Sequence, residues 1–143
     1  MSDDDGLSLA LFSELLTADQ LLRARIAKVL PDRMELSHFL VLNHLARGVE
    51  KTPVQLSRMF HVTRGAMTNT LGRLEAHGYV HIRPDWDDAR RKLVSISPSG
   101  VAARDKALEA IMPLVGEIVG DMGSDRIRAA LPVLRELRIR LET

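Results

Sequence analysis

Apolar residues recur at helical spacing through the first half of the chain, switch to strand spacing, and return to helical spacing. That order predicts the architecture. Within residues 7–30, Leu11, Leu15, Ala18, Leu22, Ile26 and Val29 fall three or four apart and stack along one side of a helix. Arg23, Arg25 and Lys28 occupy its last turns, where cations suit the helix dipole, and Pro31 ends it. The residues before it, rich in aspartate, read as an acidic tail. A second helix carries Phe39, Leu42, Leu45 and Ala46 and stops at Gly48.

Thr52-Pro53-Val54-Gln55 is a strong helix start: a capping threonine, a proline at the first helical position, and a glutamine three residues after the cap. Leu56 and Met59 are expected to face inward from this short helix. It gives way near Phe60-His61-Val62 because Thr63 offers another N-cap. Met67, Leu71 and Leu74 then form the stripe of a further helix that Gly78 stops. Two short helices in quick succession predict a helix-turn-helix. Alternation at Tyr79–Arg83 and Leu93–Ser97 predicts a β-hairpin with a long charged tip, PDWDDARRK.

Ser97-Pro98 repeats the cap-then-proline signal ahead of Val101, Leu108, Ile111, Val115, Ile118 and Met122. Pro113 inside that stripe predicts a kink or a junction of two helices. Gly123-Ser124 is expected to break the chain and cap a last helix with Ile127, Leu131, Leu134, Leu137 and Leu141 inward, its first turns distorted by Pro132. The fold class is therefore mainly α with a small β-hairpin wing. It is a single domain over residues 1–143, with a winged helix-turn-helix at 35–97 between long helices at 7–30 and 99–143.

Composition removes several classes of function. With no cysteine there is no disulfide, thiolate metal site, cysteine nucleophile or thiol redox sensor. Aromatics at 3% are too few for a single-strand stacking platform. No stretch approaches the ~20 apolar residues that cross a bilayer, and the acidic start is unlike a secretory signal, so a cytoplasmic protein without a membrane partner is expected. His61, His77 and His81 have no ligand spacing, so neither a metal site nor a cofactor is expected. His38 and His44 read more simply as core or surface histidines than as a pocket.

The net charge of +1 hides an uneven distribution. Residues 47–92 hold nine Lys/Arg against five Asp/Glu, a local +4, and no carboxylate occurs between Glu50 and Glu75 although Lys51, Arg58, Arg64 and Arg73 do. A surface that meets a phosphate backbone needs that gap. Thr63, Arg64, Gly65, Thr68, Asn69 and Arg73 lie on or beside the outward side of the second short helix. There Arg can read guanine and Asn adenine, Thr can meet a base edge, and Gly permits close approach. At the hairpin tip Asp88 can orient Arg90 into a narrow minor groove, with Arg91 and Lys92 on phosphates. Trp86 is expected to pack against the hairpin base or a neighbouring arginine rather than to intercalate.

The stretch LSRMFHVTRGAMTNTLGRLEAHGYVHIRP, followed by DDARRKLVSISPSG, resembles the MarR family of winged-helix transcriptional regulators. Asp88 and Arg90 match the family's Asp-x-Arg, and Ser97-Pro98-Ser99-Gly100 its Thr-Pro-x-Gly exit; Ala89 departs, where many members carry arginine. The resemblance implies an obligate homodimer on a pseudo-palindromic duplex operator, acting as a repressor and released by a small anionic or aromatic effector. Two other readings predict different behaviour. An enzyme would need a signature such as HExxH, GxSxG or a P-loop, none of which occurs, so no catalytic residues are expected. A winged helix that recruits protein instead of DNA would tolerate alanine at Arg64 and Arg90.

Overall fold

The computed structural model describes residues 2–142. Its first helix, α1 (Asp3–Val29), starts earlier than the apolar stripe implies. The aspartates expected as a tail are its first turn: Ser2 caps Asp5 N–H at 3.2 Å, and the Asp5 carboxylate accepts from Ser2 N–H at 2.9 Å. Three acids at the positive end of the dipole favour this start, and the reciprocal bonds hold the Asp5 carboxyl below its ordinary range.

A single 3-10 turn (Pro31–Arg33) leads into α2 (Leu36–Leu45), then α3 (Pro53–Met59) and α4 (Arg64–Ala76). The Thr52–Gln55 capping box forms with bonds of 2.9 and 3.1 Å. Thr63 caps α4 by accepting from Ala66 N–H at 3.1 Å, and Gly48 and Gly78 stop their helices in the left-handed region, at φ 81° and 75°. Leu56 is fully buried, but Met59 is 42% exposed, contrary to expectation. The inward side of α3 runs through Leu56, Ser57 and Phe60 instead. The buried Ser57 hydroxyl donates back to the Val54 carbonyl at 2.8 Å.

Strands β1 (Val80–Pro84) and β2 (Lys92–Ile96) pair antiparallel, with Val80 opposite Ile96 and Pro84 opposite Lys92. Lys51 forms an isolated bridge on the other edge of β2, exchanging bonds of 3.1 and 2.8 Å with Val94, so the linker before α3 is tied to the hairpin. Ser97 then joins hairpin to helix. Its hydroxyl donates to the Gly78 carbonyl and caps Gly100 N–H, and Gly100 lies so close to the Tyr79 carbonyl that a Cβ there would collide with it.

The helix junction considered at Pro113 does not form. Helix α5 (Pro98–Met122) is continuous through Pro113 and α6 (Ser124–Leu141) through Pro132. Both prolines are exposed, so the carbonyl each leaves without its helical partner faces water. The cap of α6 also differs: Gly123, at φ 95°, is the N-cap, with no side-chain bond, and Ser124 is already helical.

The core lies between α2, α3, α4, the hairpin and the first half of α5, around Leu42, Leu45, Leu56, Leu74 and Val94, all fully buried. The long helices barely contribute: α1 buries only Ile26 and α6 buries no residue. Among the described residues no helix is long and apolar enough to cross a membrane.

Candidate nucleic-acid interface

At about 100° per residue, Met67, Leu71 and Leu74 turn α4 so that Gly65, Asn69, Gly72 and Ala76 point directly away from the core. Arg64 and Thr68 lie on the side toward the hairpin, and Arg73 on the side toward α2. All six polar or glycine positions are exposed. Neither Gly65 nor Gly72 has an atom within 4 Å of where a Cβ would sit, and neither has a positive φ. Glycine in a helix interior costs roughly 0.5–1 kcal/mol relative to alanine. Nothing within the protomer repays that cost at either position.

On the hairpin, Asp88 Oδ1 accepts from the Arg90 backbone N–H at 3.1 Å and from its Nε at 3.2 Å. The arginine is thereby oriented at its root while its side chain remains 92% exposed. Arg91 stands 3.9 Å from Asp85. Lys92 has no carboxylate at ion-pair distance among the described residues.

Between α3 and the hairpin lies a groove of about 550 Å³ that brings Arg58, Arg90, Arg91 and Lys92 together beside Thr52 and Gln55, with no carboxylate in its lining. A second groove of about 530 Å³, between α4 and the hairpin, is lined by Thr68, Gly72, Arg83 and Lys92, with Glu75 at its edge. Lys92 belongs to both, so the wing and the outward side of α4 form one surface. Arg58 was visible in the sequence only as part of the charge count; its place opposite the wing depends on the Lys51–Val94 bridge folding α3 against the hairpin.

Arg73 stands apart from this surface. Its Nη1 donates to Glu35 Oε1 at 3.1 Å, across 38 residues, and the other Glu35 oxygen is 3.7 Å from His38 Nε2. His38 is buried, and its Nδ1 accepts from Glu35 N–H at 3.5 Å at the start of α2. Burial pushes its imidazole below the ordinary value, with Glu35 opposing and Arg73 and His77 reinforcing. Burial, with Arg47 and Lys51 nearby, also depresses His44, whose Nε2 has no hydrogen-bond partner. Thr63 is exposed but spends its hydroxyl on the cap. Asn69 also edges a pocket of about 310 Å³ on the α2 side, walled by Leu40, Val41, Phe60 and Val62 with Arg23 at its rim.

Residues 34–91 match the model of the MarR family. The transcriptional activatory protein BadR of Rhodopseudomonas palustris is 32% identical over 87 residues, which span 57% of this chain and 47% of BadR, so the chain covers about half the length of that relative. The whole chain superposes on the transcriptional regulator BldR from Sulfolobus solfataricus with a TM-score of 0.87 at 24% identity, covering 98% of this chain and 99% of the other. A cysteine-to-serine mutant of MarR from E. coli, solved in complex with operator DNA, gives 0.83 at 24% identity, covering 95% and 99%. The order of helices and the two-stranded wing are those of the winged-helix fold these structures share, and the chain's central segment, residues 34–91, is similar to the MarR family.

Proposed function

We propose that this chain is a sequence-specific double-stranded DNA-binding regulator of transcription that acts as a homodimer in the cytoplasm. The observation that carries the reading is the cationic groove that brings Arg58, Arg90, Arg91 and Lys92 together, free of carboxylates in its lining where α3 meets the wing. Duplex DNA presents phosphate to such a surface, and cations that neutralise it release the counterions condensed on the DNA. The E. coli MarR complex, a neighbour in fold, was solved with operator DNA.

In this reading α4 enters the major groove. Thr63, Arg64 and Gly65 meet the backbone and the first bases, Thr68 and Asn69 face base edges, and the bare backbone at Gly65 and Gly72 allows close approach. Asp88 holds Arg90 for the adjacent minor groove, Arg91 and Lys92 contact phosphate, and Arg73, on the α2 side of α4 and paired with Glu35, meets phosphate outside that surface. The unburied apolar residues of α1 and α6, among them Leu7, Phe12, Leu134 and Leu141, are covered by a second copy. All 143 residues act as one domain, the long helices pairing and residues 35–97 reading DNA. Two-fold pairing places the α4 helices in successive major grooves of a pseudo-palindromic site.

The protein acts by binding rather than turnover, as a repressor that occludes its site. A small effector with an apolar body and one anionic group suits the pocket beside Asn69, where Arg23 supplies the cation. It acts only insofar as it prefers the DNA-incompetent arrangement. Selection of bound duplexes from a random library is expected to return inverted repeats. Reporter expression from the selected site should fall when the protein is present. Recovery of unselected sequence even at low salt contradicts the proposal.

A further inference from the structure

We infer that Trp86 is a DNA contact of the wing, lying with one ring face against the deoxyribose wall of the groove that Arg90 enters; the inference rests on the DNA-binding role proposed above. Trp86 is the chain's only tryptophan and, at 83%, the most exposed large apolar side chain among the described residues. It does not pack on the hairpin base. Its one aromatic-type contact is with Arg83, whose guanidinium carbon lies 5.6 Å from the ring centroid.

That arginine is itself fixed. Glu50 Oε2 accepts from its Nη2 at 2.6 Å, and the Pro84 carbonyl accepts from its Nη1 at 3.1 Å. In the turn that carries the ring, Asp85 Oδ1 accepts from Asp87 N–H at 3.0 Å. Glu50, Arg83 and the turn thus hold an apolar plate out in water, which preorganises it for a partner.

The register of the hairpin shows where the plate stands. Pro84 pairs with Lys92, and Asp85 N–H donates to the Arg91 carbonyl at 3.0 Å, which carries the ladder one step further. There the ladder ends: Trp86 lies in a bend and Arg90 in the turn closed by Arg91 N–H donating to the Asp88 carbonyl at 2.9 Å. The indole and Arg90 thus share the hairpin tip, and Arg83, beside the ring, lines the groove between α4 and the hairpin with Lys92. In a minor groove the guanidinium faces the negative floor while the sugars form the apolar wall. With Arg83 beside one side of the ring, a contact to a sugar wall uses the other side, which is open.

The single tryptophan gives its own readout. The full-length protein is titrated with a selected duplex of about 30 base pairs, long enough for two half-sites one turn apart, with Trp86 emission and the anisotropy of labelled DNA followed in parallel. Emission is expected to shift to the blue in step with the anisotropy. Trp86→Ala should weaken binding about tenfold, the scale of an aromatic contact to nucleic acid, without changing the slope of log K against log salt. Arg90→Ala should reduce that slope by about 1. Glu50→Gln is expected to weaken binding in part, and to add nothing in the Trp86→Ala background. Unchanged emission at saturation, or Trp86→Ala binding as tightly as the parent, overturns the inference and leaves the DNA-binding role standing. Absence of any anisotropy change in the parent protein overturns both.

Discussion

Leu42 and Leu134 are the same side chain at the same kind of helical position, yet Leu42 is wholly buried while Leu134 is 43% exposed. The contrast extends to the regions around them. The winged module closes its core within one protomer, with Leu45, Leu56, Leu74 and Val94 also at 0%. Helix α6 has an equally regular stripe and buries nothing. Apolar periodicity shows which side of a helix seeks cover, not whether the cover comes from the same chain. The module closes on itself, and the long helices leave their apolar stripes open.

That contrast can be broken most forcefully in the module. Leu42→Ala is expected to cost about 2–5 kcal/mol by cavity formation, a loss in thermal melts that is the same at every protein concentration. Leu134→Asp should act through association instead. We expect sedimentation to show protomers, melting to lose its dependence on concentration, and operator affinity to fall by on the order of 100-fold as bivalent contact is lost. A dimer unaffected by that change would mean that α6 is not the paired surface.

Arg90→Ala is expected to weaken DNA binding by about 1–3 kcal/mol with no change in melting temperature, because its side chain is 92% exposed and is held by a surface bond to Asp88. Smaller and of mixed sign is Gly72→Ala. It should raise stability by up to about 1 kcal/mol, since nothing within 4 Å opposes the new Cβ, while lowering operator affinity. A stabilised variant with full affinity would remove close approach as the reason for glycine there.

The smallest effect concerns pH. The depressed imidazole of His38 is favoured neutral in the folded state, so the unfolded chain takes up a proton first on acidification. Its contribution is complete above the ordinary histidine range and is lost as pH falls through that range toward the folded value. His44 acts in the same direction. Denaturant melts are expected to show stability falling between about pH 7.5 and 5.5, a window set by imidazoles rather than carboxylates. His38→Gln, which can still accept from Glu35 N–H, should flatten it.

Much of the module was legible because its signals are local. A Thr-Pro-x-Gln box, a threonine cap, glycine stops and a change of period from 3.6 to 2 each act within a few residues. The start of α1 was misread because Asp3, Asp4 and Asp5 suggest a solvated run until Ser2 is seen to cap them. Proline spacing alone does not show that Pro113 and Pro132 lie on exposed positions, where a continuous helix tolerates them. Met59 has the spacing of a core residue, but Ser57 and Phe60 set the inward side of α3. Least legible were contacts across long separations. No local pattern places Glu35 on Arg73, Glu50 on Arg83, or Arg58 opposite the wing, because each depends on how the hairpin and α2 fold against α4.

The central claim is that the surface joining α3, α4 and the wing grips duplex DNA through fixed cations. Its most direct test is the affinity for a selected duplex over a range of salt concentrations, parent beside Arg58→Ala. The account predicts a linear fall of log K with log salt, and a slope shallower by about 1 for each phosphate contact removed per dimer half. Equal slopes for the two proteins, or no binding of the parent at the lowest salt, would contradict it.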